Sequence, residues 1–357
     1  MKKNLIVVVS IICMLAIVLA ACSPKAPATA APAEPAPAAA ETPAAAPAKD
    51  GEITIVVMPK LLSIPYFVVS EVGASQAGKD LGVNVIFAGP TEADATEQVN
   101  MLEDFIAQGV DVIAVAPNDP VAMTPVLKKA KDAGIIVMDW DTPAEKDVVQ
   151  YSVHQVDDKV YGEHLWKTMT DRLADPSNAK YALLTGGLEA GNLNTWIDYG
   201  EAWLAANFPG VTKVTDKIPT NEKQQEAYSK TQDVIKSYPE IEAIMCISAT
   251  TPPAVGQVIQ ELGMQDKLIA VGTGLPNDNN VYLKDGSLDC VTLWDPGKLG
   301  YLTVWVGLQA ALGNPLTNGM TTPVPGVPTL DLREDGKTII MSPPQDFTKE
   351  NVDQFDF

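Results

Sequence analysis

The stretch VNVIFAGPTEADATEQVNMLEDFIAQGVDVIAVAP, Val83 to Pro117, decides the fold. Val83 to Gly89 and Val110 to Pro117 are apolar runs of strand length. Between them Val99, Leu102, Phe105 and Ile106 recur on one face, which predicts a helix near Asp94 to Gln108. Working outward, the same alternation repeats. ITIVVMP (Ile53 to Pro59) precedes a helix near Tyr66 to Leu81, a further helix spans Pro120 to Ala133, and IIVMDW and VVQYSVH (Val148 to His154) supply two more strands. The rhythm then restarts. KYALLTGG (Lys180 to Gly187) leads to a helix near Thr195 to Ala206, VTKVTDKI to one near Glu222 to Ser237, and IEAIMCIS to one from Pro253 to Leu262. KLIAVGTG and LDCVTLWD are the last strands. Runs that are apolar throughout suit parallel sheets covered on both faces, so the pattern predicts an α/β protein of two doubly wound lobes in succession.

A length of 357 residues fits two domains. The net charge of −20 excludes nucleic acid as a partner, since that binding needs basic patches. Lys2 and Lys3 precede an apolar run, Leu5 to Ala21, shorter than a comfortable membrane span. The run ends in Leu19-Ala20-Ala21-Cys22, which resembles a bacterial lipobox. Residues 1–21 are therefore expected to be a signal peptide, with lipidation at Cys22. Residues 22–50 are nearly all Ala and Pro, an extended tether with a reach of roughly 80–90 Å at ~3.1 Å per residue. The expected location is the cell envelope, outside the cytoplasm. Cys246 and Cys290 fall in different strands of the predicted order and are expected to be buried free thiols.

Motifs of catalysis are missing from the sequence. It holds no G-x-x-x-x-G-K-[ST] phosphate loop and no G-x-S-x-G elbow, and its two histidines, His154 and His164, lack a His/Cys cluster for a metal. No metal and no cofactor are expected. Open parallel sheets bind ligands beyond the carboxyl ends of their strands. At those ends stand Lys60, Asn118, Asp139-Trp140-Asp141, the Gly187 to Asn194 loop, Ser248 to Thr250, Thr273 to Asn277 and Trp294-Asp295.

At these residues the chain resembles the type-I periplasmic sugar-binding proteins of ABC transporters, in particular the branch of autoinducer-2-binding and rhamnose-binding proteins. The segments that carry the likeness are MPKLLSIPYF, GPTEADATEQVNMLEDFIAQGVDVIAVAPNDP, WDTP, NLNTWID, GLPNDNNVYLKDGS and LWDPGKLGYLTV, and it runs from about Ile53 to the C-terminus. The resemblance implies three crossings between lobes, placed near Val153 to Asp157, Leu293 to Pro296 and Thr321 to Pro325. It divides the chain into a first lobe of 51–154 plus 297–322 and a second of 155–296 plus 323–357.

The implied function is lipid-anchored capture of a small sugar-like polyol, a rhamnose-class sugar or autoinducer-2, for an ABC permease. The alternative is a sensor that presents the same solute to a membrane receptor. A monomer is expected. Candidate ligand contacts are Lys60, Tyr66, Phe67, Asp141, Asn192, Asn194, Ala249, Trp294 and Asp295. Ammonium donors at Lys60 suit hydroxyls or a carbonyl, the aromatic rings suit the C–H face of a sugar, and an ionised Asp141 accepts from two adjacent hydroxyls. Asp139 is assigned to the strand end rather than to the ligand. Lys60, Asp141 and Ala249 match the autoinducer-2 pattern. That pattern has Asp-Gln where this chain has Asn192-Leu193 and proline where it has Ile247, while common sugar binders have Arg where it has Thr142.

Overall fold

The computed structural model describes residues 51–357. The expected signal peptide, lipidation site at Cys22 and tether all lie outside the described residues. From Thr54 the chain alternates strand and helix: β1 (Thr54–Met58), α1 (Pro65–Leu81), β2 (Asn84–Phe87), α2 (Ala95–Gln108), β3 (Val112–Val115), α3 (Pro120–Asp132), β4 (Ile136–Trp140) and β5 (Tyr151–His154). It continues through α4 (Asp158–Thr170), β6 (Lys180–Thr185), α5 (Gly191–Asn207), β7 (Thr212–Lys213), β8 (Ile218–Pro219), α6 (Gln224–Ser237) and β9 (Ala243–Ile247). Then follow α7 (Thr251–Leu262), β10 (Ile269–Thr273), α8 (Pro276–Asp285), β11 (Cys290–Leu293), α9 (Pro296–Ala311), β12 (Asp331–Leu332), β13 (Thr338–Ile340) and β14 (Gln345–Phe347).

Two sheets result, in the orders β12-β13-β5-β4-β3-β1-β2 and β14-β11-β10-β9-β6-β7, with β8 also on β6. Their central strands are parallel. Strand alternation explains why the central runs are apolar throughout. In β1, Ile55 and Val57 join one core cluster while Val56 and Met58 join another, and in β3 Val112 and Ala114 part from Ile113 and Val115 in the same way. Each face is covered, so neither set of side chains meets water.

The helices begin where the sequence marks them. Asp94 and Asp119 cap α2 and α3 by accepting from Thr96 and Glu97, and from Val121 and Ala122. Pro65, Pro120 and Pro296 open their helices, a position that requires no N–H. Helices α1 and α9 cross in close contact on the first sheet. A Cβ on Gly73 would sit 1.8 Å from the Gly297 carbonyl oxygen, so that crossing tolerates no side chain there.

The structure departs from the sequence expectations in three places. Helices α4 and α8 fall where the sequence pattern names none. VTKVTDKI forms two short strands, β7 and β8, which pair separately with Lys180–Tyr181 and Leu184–Thr185 of β6. The third departure corrects the expected 323–357 segment of the second lobe. The β12–β13 hairpin turns through Gly336, and β13 runs parallel to β5, Ile339 beside Val153, which places both strands in the first sheet. Only β14 joins the second sheet, antiparallel to β11. The chain therefore passes from the first sheet to the second at 341–344, not near Thr321 to Pro325. Ile339 and Ile340 of β13, between β12 and β5, are both buried in the first sheet. Cys246 in β9 and Cys290 in β11 are separated by β10 and are free and buried.

Candidate ligand-binding site

Strand β4 ends in a turn that presents one aspartate and buries the other. Asp139 is fully buried; it accepts from the Ala144 amide at 2.8 Å and from the Ser152 hydroxyl. Trp140 is equally buried, and its indole donates to the Met58 carbonyl at 3.1 Å. At Asp141 the strand stops. Its φ is +60°, and the Thr142 amide donates back to the Trp140 carbonyl at 2.6 Å, closing a three-residue turn with Asp141 at the apex. The left-handed conformation is unfavourable for a residue with a Cβ, although Asp is among those that best tolerate it. The turn takes the Asp141 carboxylate out of the sheet and into the cleft.

There it meets Tyr66, which opens α1. The Tyr66 hydroxyl donates to Asp141 Oδ1 at 2.7 Å and accepts from the Trp294 indole at 3.0 Å. Burial, and then the Asp141 charge, hold the Tyr66 phenol well above its ordinary pKa, so it remains a donor at any working pH. Thr142 donates to Asp141 Oδ2 at 3.1 Å, and Lys60 Nζ lies 3.8 Å from the same oxygen. Lys60 is 4% exposed. Its backbone is fixed by the Asn118 amide, which donates to the Lys60 carbonyl, and by Gln98, which donates to the carbonyls of Pro59 and Ala116. Its ammonium reaches across to the second lobe and donates to Asn192 Oδ1 at 2.8 Å.

These groups line a cavity of about 400 Å³, counting the space at its mouth. The first lobe contributes Lys60, Ile64, Tyr66, Phe67 and Asp141. The second contributes Asn192, Leu193, Trp196, Glu222, Ser248, Ala249, Thr273 and Leu293, and Trp294 stands at the crossing between them. Trp294 packs edge-on against Tyr66, Tyr161 and Trp196, with ring centroids 6.1, 5.3 and 5.8 Å apart. The Trp196 indole donates to Asp158 at 2.7 Å, which locks that ring in place. The result is a partly apolar chamber with a few fixed polar groups, the composition of a small-molecule site.

Of the residues singled out from sequence, Lys60, Tyr66, Phe67, Asp141, Asn192, Ala249 and Trp294 come together here. Two do not. Asp295 caps α9: its Oδ1 accepts from the amides of Gly297 and Lys298, its Oδ2 lies 3.3 Å from the Lys298 ammonium, and it is absent from the cavity wall. Asn194 is spent on its own surroundings, donating to the Leu188 carbonyl and accepting from Lys217. Sequence reasoning passed over Trp196, Glu222, Ser248 and Thr273 as individual contacts. Ser248 and Thr273 carried the strand-end signal; Glu222, between a strand and a helix, carried none. Among the described residues no group of three His, Cys, Asp or Glu is placed to hold a metal ion.

Two sheets whose facing strand ends wall one such chamber define a cleft-type solute binder. The chain belongs to the periplasmic binding protein family, whose domain pattern matches residues 55–315. The D-allose-binding periplasmic protein of Escherichia coli (strain K12) is 26% identical over 252 residues, which cover 68% of this chain and 80% of that protein. LsrB from Clostridium saccharobutylicum, solved in complex with AI-2, has a TM-score of 0.79 at 24% identity, covering 85% of this chain and 100% of its own. An ABC transporter solute binding protein from Clostridium phytofermentas with bound L-rhamnose has the same TM-score and identity, with coverage of 85% and 98%. The two structural likenesses carry the type-I fold. The family is one of sugar-binding transport proteins that work outside the cytoplasm, so this is a binding protein and not an enzyme. Among the described residues no helix is long and apolar enough to cross a membrane.

Proposed function

We propose that this chain is the membrane-tethered solute receptor of an ABC importer, held by a lipidated Cys22, and that it captures a small sugar-like polyol in the cleft. The observation that carries this reading is the Lys60–Asp141–Asn192 group, with Tyr66 and Trp294 around it, in a cavity walled by both lobes. Asp141 offers ionised oxygens to adjacent hydroxyls, Lys60 offers donors to ring or carbonyl oxygens, and the rings of Phe67, Trp196 and Trp294 cover a C–H face. A ligand touching both lobes favours the closed arrangement by its differential affinity, and the closed form is the one a permease would recognise.

The rhamnose-class sugars and autoinducer-2 are the ligands to try first, because structural neighbours hold L-rhamnose and AI-2. A thermal-shift panel of pentoses, deoxyhexoses and autoinducer-2 tests the reading. A true ligand at ~100 times its Kd adds about 2.7 kcal/mol to stability. A panel in which no member shifts the transition would refute a sugar-like ligand.

A further inference from the structure

Glu222 is a second buried carboxylate on the cavity wall, across from Asp141, and no family motif quoted above contains it. Three features show that the chain builds this position with care. Asn221 and Glu222 both take left-handed backbone, with φ of +52° and +57°, in the turn between β8 and α6. Only three non-glycine residues among those described do so, and the third is Asp141. Two of the three thus place a carboxylate in the same cavity, and backbone strain of this kind concentrates at binding sites. Second, Gly186 at the end of β6 makes room for the acid: a Cβ there would stand 2.0 Å from Glu222 Oε1. Third, its charge is uncompensated. Ser248 donates to Oε2, but among the described residues no Lys, Arg or His lies within ion-pair distance of Glu222, whereas Asp141 has Lys60 at 3.8 Å.

A buried carboxylate needs donors. Here the chain supplies one hydroxyl, and Glu222 stands on the cavity wall with acceptor capacity left over. The titratable cavity wall consists of one ammonium and two carboxylates, Lys60, Asp141 and Glu222, so it carries a net negative charge inside low-dielectric walls, besides the phenol of Tyr66.

We propose that Glu222 is a ligand-contacting, specificity-determining residue that makes this cleft select neutral or amino-substituted polyols and reject anionic ones such as uronates and sugar phosphates. This rests on the cleft being a polyol site, and adds the charge class of the ligand. A hydroxyl pair or an ammonium donates to the Glu222 carboxylate, while a carboxylate or phosphate at the same place meets like charge in a medium that screens it poorly.

The test uses the soluble chain from residue 51 and its Glu222→Gln and Asp141→Asn variants. Calorimetric titration covers L-rhamnose, D-allose, D-ribose, D-glucosamine, D-glucuronate and D-ribose 5-phosphate. Gln keeps the size and the left-handed turn while removing the charge, and circular dichroism melting checks that each variant folds. The expected result is wild-type binding of at least one neutral or amino sugar about 100-fold or more tighter than either anion. In Glu222→Gln that sugar weakens by about 10-fold or more and the gap to the anions narrows by about 10-fold. Unchanged affinity and discrimination in Glu222→Gln, with Asp141→Asn impaired, would overturn the role of Glu222 and leave the polyol cleft standing. Wild type binding an anion as tightly as its neutral counterparts would overturn the charge selection, and wild type binding no sugar in the set would overturn the cleft reading together with it.

Discussion

Removing the charge of Asp141 should damage both the empty protein and its affinity, and the two effects are separable. In the folded chain Asp141 and Lys60 are each about 5% exposed and 3.8 Å apart. Asp141→Asn leaves the ammonium buried, still donating to Asn192 but facing a neutral amide. Breaking one side of a buried pair costs ~3–5 kcal/mol. Unfolding entropy of about 2.1 cal/mol/K per residue, over about 300 residues, converts that into a fall in Tm of roughly 5–8 °C. Asn is the fair replacement because it tolerates the left-handed backbone that Asp141 adopts. The affinity loss has a different origin. Tyr66 and Thr142 each occupy one site on the two carboxylate oxygens, so acceptor sites remain for ligand hydroxyls. Hydrogen bonds to charged groups are worth ~1.5–3 kcal/mol, so binding should weaken by ~10- to 100-fold. Lys60→Met in the Asp141→Asn background separates the effects. With both charges gone, Tm should return to within about 2 °C of wild type, while affinity stays at or below that of the single variant. Thermal melts without ligand and calorimetry with the best sugar of the panel read the two quantities. If Asp141→Asn leaves both Tm and Kd unchanged, Asp141 is only a turn residue. If the double variant regains wild-type affinity, the carboxylate serves to neutralise Lys60 rather than to hold ligand.

Asp139→Asn should leave affinity within about 3-fold of wild type, since Asp139 is fully buried, holds Ser152 and Ala144 and is absent from the cavity wall; a loss like that of Asp141→Asn would show that the wrong carboxylate has been assigned to the ligand. The same variant carries a pH signature. Burial pushes the Asp139 carboxyl up to about 6, against the pull of His154, Ser152, Ala144 and Lys146, so its folded value exceeds its unfolded one. The stability it lends is complete below the unfolded value near 4 and lost as pH rises through 6, a change of ~2–3 kcal/mol. The Tm of wild type minus that of the variant should fall between pH 4 and 7, and a flat difference would refute the shift. His154, whose imidazole loses by burial but gains more from Asp158 and Asp139, is held up in wild type, and the part it draws from Asp139 is lost in the variant. Asp295→Ala should cost ~0.5–2 kcal/mol through the lost α9 cap and leave Kd within about 2-fold; a 10-fold loss of affinity would restore Asp295 to the ligand. Cys22→Ser should block both lipidation and signal-peptide cleavage at this site, read as retained residues 1–21 by mass spectrometry, and wild type found unlipidated would refute the anchor.

The architecture was readable because a parallel strand covered on both faces is apolar along most of its length, and polar residues gather where it ends. That is why Lys60, Asp141, Ser248, Thr273 and Trp294 all stand out at strand ends. Short edge elements leave no such trace: β12 and β13 span two and three residues, and their place beside β5 depends on a hairpin through Gly336 rather than on periodicity. Helix α4 was unreadable for the opposite reason. It is buried on much of its surface, with Tyr161, Leu165, Trp166 and Met169 inward and Thr168 and Thr170 buried beside them, so the apolar stripe blurs. Within the site, the sequence identifies the end of the sheet at which polar groups gather, but not which of them are already in use. Asp295 and Asn194 are polar, correctly located and fully occupied, the first by the amides of a helix that Asp-Pro-Gly announces. Glu222 is the converse. Its neighbours Thr220, Asn221 and Lys223 look like an ordinary helix approach, and only the left-handed turn at Asn221-Glu222, with the missing side chain of Gly186 opposite, places it in the cavity wall. A ligand-facing residue is recognisable by the hydrogen-bonding capacity left over once the fold has taken its share. Asp141 and Glu222 retain such capacity on the cavity wall, whereas Asp139 is fully buried and lies off that wall.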